Sequence, residues 1–151
     1  MEKIKWKISS FDNLSKEELF ELYYLRTAIF VVEQNCPYQE VDELDKTAFH
    51  VLGSIKNELV AVARIIPPTA NHNEVKIGRV AVKSTHRRQK VADKMMKQCF
   101  RFIEKKWQQF PIAISAQHYL INFYANHQFK VEGDGYLEDN IPHVRMVRIK
   151  E

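Results

Sequence analysis

Glycine and proline are scarce in this chain, four and five of its 151 residues, and no stretch is low in complexity or repeated. That scarcity argues against a flexible linker or a solenoid. The length suits one compact core better than two, so a single domain over residues 1–151 is expected. Long hydrophobic runs are also lacking. The longest, LVAVARII, is short and broken by Arg64, and the opening MEKIKWKISS alternates lysines where a secretory leader would be apolar. The sequence therefore predicts a soluble, cytoplasmic protein with no membrane partner. Cysteine is nearly absent. Cys36 and Cys99 stand alone, without a CxxC pair or a Cys/His cluster, so neither a disulfide framework nor a metal site is expected.

Neither sign of charge dominates: 23 basic against 19 acidic residues leave a net charge of +4. That mild excess, with no aromatic and basic recognition motif, gives nucleic-acid binding little support. The distribution is more informative. Between Lys83 and Lys94 stand Lys83, Arg87, Arg88, Lys90 and Lys94 against Asp93, whereas Glu33 to Asp45 carries five carboxylates and no cation. The first segment should attract phosphates and the second amines.

Ile4, Trp6 and Ile8 alternate with lysines, which predicts an edge strand with one solvated face. Ser15 and Glu18 form a capping box for a helix from about Lys16 to Val32. Phe49 to Ile55 and Leu59 to Ile66 read as a hairpin around Lys56-Asn57-Glu58, closed off by Pro67-Pro68. In the next strand, Glu74 to Lys83, apolar residues stand at Val75 and Ile77 and then shift phase to Val80 and Val82. Such a shift calls either for a β-bulge near Gly78 to Val80 or for a strand buried on both faces. Val91, Met95, Cys99, Ile103 and Trp107 then predict an amphipathic helix over Val91 to Trp107. A strand at Pro111 to Ala116, a short helix at Tyr119 to His127, and strands near Phe129 to Glu132 and His143 to Ile149 complete the pattern.

The strand, basic turn and helix of GRVAVKSTHRRQKVADKMM form the central constellation. Free amides and the dipole at a helix start favour an anion, and the neighbouring cations reinforce it; the plainer alternative is a solvated basic helix start. On these residues the chain resembles the GNAT N-acetyltransferase superfamily. That family carries R/Q-x-x-G-x-G/A at the turn holding the pyrophosphate of coenzyme A, and Arg87, Arg88, Gln89, Lys90, Val91 and Ala92 align with it, Lys90 replacing the central Gly. FVVEQNCPYQEVDELD, SAQHYLINFYANHQF and YLEDNIPHVRM are similar to the branch called ElaA-like. In the second of these, Gln117, Leu120 and Gln128 replace the Asn, Ala and Gly of N-x-x-A-x-x-F-Y-x-x-x-G-F, while Phe123, Tyr124 and Phe129 are kept.

The resemblance implies an α/β fold, a mixed and mostly antiparallel sheet flanked by helices, with acetyl-CoA as donor and a primary amine as acceptor. It implies that backbone groups at Val80, Ala81 and Val82 bind pantetheine and face the thioester, that residues 87–92 and Gln117 contribute to the donor site, and that Tyr124 protonates the leaving thiolate. Tyr124 also reads as a packing aromatic. Removing the amine proton calls for a base. Glu33 comes first, then Glu138 and His143, each with a plain alternative: a cap or salt bridge for Glu33, a solvated turn for Glu138, and a satisfied buried carbonyl for His143. The rival reading from another class is a catalytically silent acyl-CoA-binding regulatory module. The acceptor's identity and the assembly, a homodimer included, stay open.

Overall fold

The computed structural model describes residues 2–149. Along them run β1 (Lys5–Ser10), α1 (Lys16–Thr27), β2 (Phe49–Ile55), β3 (Glu58–Ile66), β4 (Val75–Val82), α2 (Val91–Trp107), β5 (Ile112–Gln117), α3 (Ile121–Ala125), β6 (Lys130–Val131), β7 (Tyr136–Glu138) and β8 (Ile141–Arg148). The capping box forms as expected: Ser15 Oγ accepts from the Glu18 N–H, and the Glu18 carboxylate accepts from the Ser15 N–H. The helix it starts is shorter in α geometry than the apolar spacing predicts. After Thr27 it widens into a π turn over Ala28–Glu33, closed by the Gln34 N–H on the Ile29 carbonyl. The predicted helix near Tyr119 contracts to α3 behind a short 3-10 turn, His118–Leu120.

The strands form one sheet in the order β1-β2-β3-β4-β5-β8-β6, with β7 beside β6 on the outer edge of β8. Every pairing is antiparallel except β4 with β5. α1 covers one face through Leu22, Leu25 and Ile29 on Leu52, Val62 and Ala81. α2 and α3 cover the other through Met95, Met96, Cys99, Ile103 and Tyr124. β3 lies between both layers and is buried from Leu59 to Ile65, hence its unbroken apolar run.

The phase shift in β4 is a bulge. Gly78 pairs with Arg64 and Ala81 with Val62, so Arg79 and Val80 together face the single residue Ala63. The left-handed residue is Arg79, at φ 50°, and not the adjacent Gly78. What holds an arginine in a conformation suited to glycine is a buried network. Arg26 of α1, 1% exposed, donates to both oxygens of Glu40 and of Asp45. Arg64 of β3 donates to Asp42 at 2.7 Å and Asp45 at 3.0 Å. Arg79 donates to the Glu40 carbonyl at 2.8 Å and pairs with the carboxylates of Glu40 and Asp42.

This network corrects the expectation that the acidic segment awaits an amine. Glu40, Asp42 and Asp45 are neutralised by three arginines, Glu43 by Lys46 and Glu33 by Arg87. Burial alone would push the Asp45 carboxyl up; hydrogen bonds and charge from Arg26, with help from the Asp42 N–H and Arg64, outweigh it and bring the group down to about 2. A group depressed by folding adds stability above its unfolded value and loses it as pH falls. Stability in urea should therefore be level near neutrality and decline as pH drops from about 4 toward 2. Arg26→Ala, which leaves buried Glu40 to Arg79 alone and buried Asp45 to Arg64 alone, should cost about 3–5 kcal/mol by denaturant titration; a loss under about 1 kcal/mol would show that the network is not holding the fold.

Candidate functional site

β4 and β5 share only two paired positions, Val75 with Ile112 and Lys76 with Ala113. Beyond them the strands part and leave a cleft of about 760 Å³, walled by β4, β5, the segment after α1 and the β7–β8 hairpin. Lys83 gives its N–H to the Val60 carbonyl of β3. By strand alternation, Val82 and Val80 turn their backbone groups the other way, toward the cleft. The Val82 carbonyl there accepts from Arg87 Nε at 2.9 Å.

α2 starts at the end of this wall with no side chain capping its first amides. Arg88 at φ 62° and Lys90 at φ 61° are both left-handed, and the turn they make delivers the chain into the helix. Of the residues expected to hold a pyrophosphate, Arg87 and Ala92 line the cleft, Arg88, Gln89 and Lys90 are exposed outside it, and Val91 is buried in the core. Arg87 is occupied: its two terminal nitrogens donate to Glu33 at 2.6 and 2.9 Å. The Arg87 hydrogen bonds hold the Glu33 carboxyl below its usual range.

Tyr124 lines the cleft from α3 and is otherwise enclosed, its ring set edge-on to Phe123 and Phe129. Burial pushes its phenol well above the ordinary tyrosine value. Gln128, just past α3, is left-handed at φ 67°, and that turn sends Phe129 back into the core.

On the β5 and β8 wall, His143 is buried and stacks on Tyr136. Its Nδ1–H donates to the Ile141 carbonyl at 2.6 Å, and its Nε2 lies 3.5 Å from a Glu138 oxygen. Ser115 bonds the Tyr136 hydroxyl and donates to Glu138 at 3.5 Å. The satisfied carbonyl and the position in the cleft, set against each other in the sequence, thus hold together for His143. Cys36 Sγ–H reaches the Asp139 carbonyl at 3.5 Å and fastens the hairpin tip to the segment after α1. Gln117 donates to Gln34 across the same opening at 3.3 Å.

The family model for the acetyltransferase (GNAT) domain matches residues 12–150. This chain belongs to the GNAT acetyltransferase family. Within that family it groups with the ElaA branch: it is 40% identical over 147 residues to protein ElaA of Escherichia coli, covering 96% of each chain. The E. coli ElaA crystal structure superposes with a TM-score of 0.91 over 97% of this chain and all of that one. An acyl-CoA N-acyltransferase from Pseudomonas aeruginosa, 36% identical, gives 0.93 over the same shares. An aminoglycoside 6'-N-acetyltransferase complexed with coenzyme A shares the fold at 14% identity, TM-score 0.69, over 94% of this chain and 96% of that one. Among the described residues no helix is long and apolar enough to cross a membrane.

Of the site residues to which the sequence of this GNAT domain points, Tyr124, Glu33, Glu138, His143, Val80 to Val82, Arg87, Ala92 and Gln117 line one cleft, and Arg88, Gln89, Lys90 and Val91 do not. Ser115, Tyr136 and the structural clamp Arg79 escape the sequence pattern. β7 is three exposed residues, too short to show a period; the available signal is Tyr136 and Glu138 two apart before Asp139-Asn140, both left-handed, a hairpin turn.

Lys90 and Gln128 both stand where the family pattern has glycine, and both keep the backbone that glycine would take. An L residue held there costs roughly 1–2 kcal/mol, less the extra freedom a glycine has when unfolded. Gln128→Gly should accordingly stabilise the protein by about 0.5–1 kcal/mol in thermal or urea melts. A lower melting temperature would mean that the glutamine side chain contributes more than its backbone costs.

Proposed function

We propose that the chain is a single N-acetyltransferase domain that moves the acetyl group of acetyl-CoA to a primary amine by direct attack in a ternary complex. The observation that carries this reading is the wedge between β4 and β5, with backbone groups on one wall, an uncapped helix start at its end and a buried tyrosine beside it. The diphosphate suits the first amides of α2 with Arg87, because a helix start supplies free N–H groups and a positive dipole end. Pantetheine fits along the unpaired edge of β4. The Val80 N–H would then donate to the thioester oxygen as negative charge develops there.

The incoming amine has to lose a proton. Among the three candidates, Glu33 is held by Arg87 and is a weak base while that pair stands. Glu138 and His143 suit the task better, since Nδ1 of His143 is fixed as a donor, which in the neutral ring puts the lone pair on Nε2, and neither is held by an arginine. The nitrogen attacks the carbonyl carbon, its proton passes to the Glu138–His143 pair, and the C–S bond breaks as the carbonyl re-forms. Tyr124 then meets the thiolate. With its phenol pushed up by burial, it is protonated throughout and acts chiefly by donating a hydrogen bond to sulfur.

Lys90, Gln117 and Gln128, where the chain departs from the family pattern, are what motivates the silent-module alternative; Lys90 and Gln128 keep a left-handed backbone and Gln117 lines the cleft, so these departures give it little support. Two unpaired, buried thiols fit a cytoplasmic setting.

A thiol-release assay with acetyl-CoA and a panel of primary amines tests the reading; no release above the hydrolysis blank would contradict it. With an accepted amine, Tyr124→Phe should lower kcat by roughly 10²-fold while leaving coenzyme A affinity and melting temperature nearly unchanged. Unchanged turnover would make Tyr124 a packing residue. His143→Ala should lower kcat by roughly 10²-fold while leaving coenzyme A affinity nearly unchanged, and an unchanged kcat would place the base elsewhere.

A further inference from the structure

Glu33 and Gln34 are consecutive residues at the end of the π turn, and they reach the two arms of the wedge. Glu33 pairs with Arg87 behind β4, and Gln34 takes a hydrogen bond from Gln117 at the end of β5. The Arg87 guanidinium thereby spends three of its five N–H donors, with Nε on the Val82 carbonyl and one from each terminal nitrogen on Glu33. A diphosphate bound at the start of α2 would compete with the Glu33 carboxylate for the same guanidinium. Both are anions, so they cannot share it without repulsion. The side chains of Arg87 and Glu33 are 39% and 44% exposed, a setting in which an ion pair holds weakly. A diphosphate, with more charge, two sets of oxygens and the α2 amides in addition, wins the competition.

Displacement leaves Glu33 on the cleft wall, ionised at neutral pH and without its cation. We propose that Glu33 is a positioning residue for the acceptor that the donor unmasks: coenzyme A takes Arg87, and the freed carboxylate then holds the ammonium form of the incoming amine. Before the donor arrives, the Glu33–Arg87 pair presents no net charge to an amine. Afterwards the same wall is anionic. The two substrates thus help each other bind, and by linkage the help is mutual. Glu33 acts here by attraction, while proton removal stays with Glu138 and His143, so the π turn gains a task that neither the capping of α1 nor the packing of Ile29 explains. The proposal rests on the reading that coenzyme A places its diphosphate at Arg87.

Calorimetry on the full chain tests both layers, with coenzyme A as one probe and benzylamine, whose ring suits Phe30 and Tyr38 in the cleft wall, as the other. Arg87→Ala should weaken coenzyme A roughly tenfold or more; unchanged affinity would remove the underlying reading. Glu33→Gln, which deletes the competing charge at an exposed position, should tighten coenzyme A about threefold, the scale of an exposed ion pair. Coenzyme A at saturation should tighten benzylamine about fivefold or more in the unaltered protein and leave it unchanged in Glu33→Gln. If Arg87→Ala weakens coenzyme A but Glu33→Gln leaves it unchanged or weakened, the diphosphate reading survives and the competition fails. Benzylamine that binds equally with and without coenzyme A, or in neither state, overturns the anchor.

Discussion

Three arginines closed on three carboxylates, around the one residue by which β4 exceeds its partner strand, hold this molecule in its working shape. Arg79 stands at positive φ in the bulge, and Glu40 and Asp42 grip it there. Arg26 and Arg64 extend the same network to α1 and β3 through Asp45. A buried ion network contributes little net stability over an apolar core, but it penalises every arrangement that leaves a charge behind. Here that penalty fixes where the extra residue goes, and therefore where β4 turns from β5 and the cleft begins.

The same network decides how the charge pattern is read. Glu40, Asp42 and Asp45 are spent within the fold, so the standing negative charge of the cleft lies at Glu138 and Asp139 on the hairpin, for which no arginine or lysine partner is found among the described residues. The basic turn before α2 keeps most of its cations in solvent, with Arg87 alone brought to the cleft rim. The two ends of the cleft thus carry opposite local fields, and Glu33 with Arg87 spans the boundary between them.

Much of this was legible before any coordinates. A change of phase between Ile77 and Val80 narrowed β4 to a bulge or a strand buried on both faces, because side chains alternate strictly along a strand, and Ser15 with Glu18 announced the start of α1 because capping is local chemistry. What stayed hidden depends on partners distant in sequence. Arg26, Arg64 and Arg79 look like ordinary charged residues until the fold brings them to Asp45, Asp42 and Glu40. Glu33 reads equally as base or ion-pair partner until Arg87 is placed beside it. The family's glycine positions carry a different lesson. Lys90 and Gln128 depart from the pattern in chemistry and keep it in backbone, because the surrounding turn dictates φ more firmly than the residue does.

A crystal structure of the chain with coenzyme A is the most direct test of the central claim, that the bulge-opened wedge is the donor site. The account predicts pantetheine between β4 and β5, the diphosphate on the amides that open α2 and on Arg87, and the sulfur within hydrogen-bonding distance of the Tyr124 hydroxyl. A diphosphate bound away from α2, or a sulfur screened from Tyr124, would contradict it.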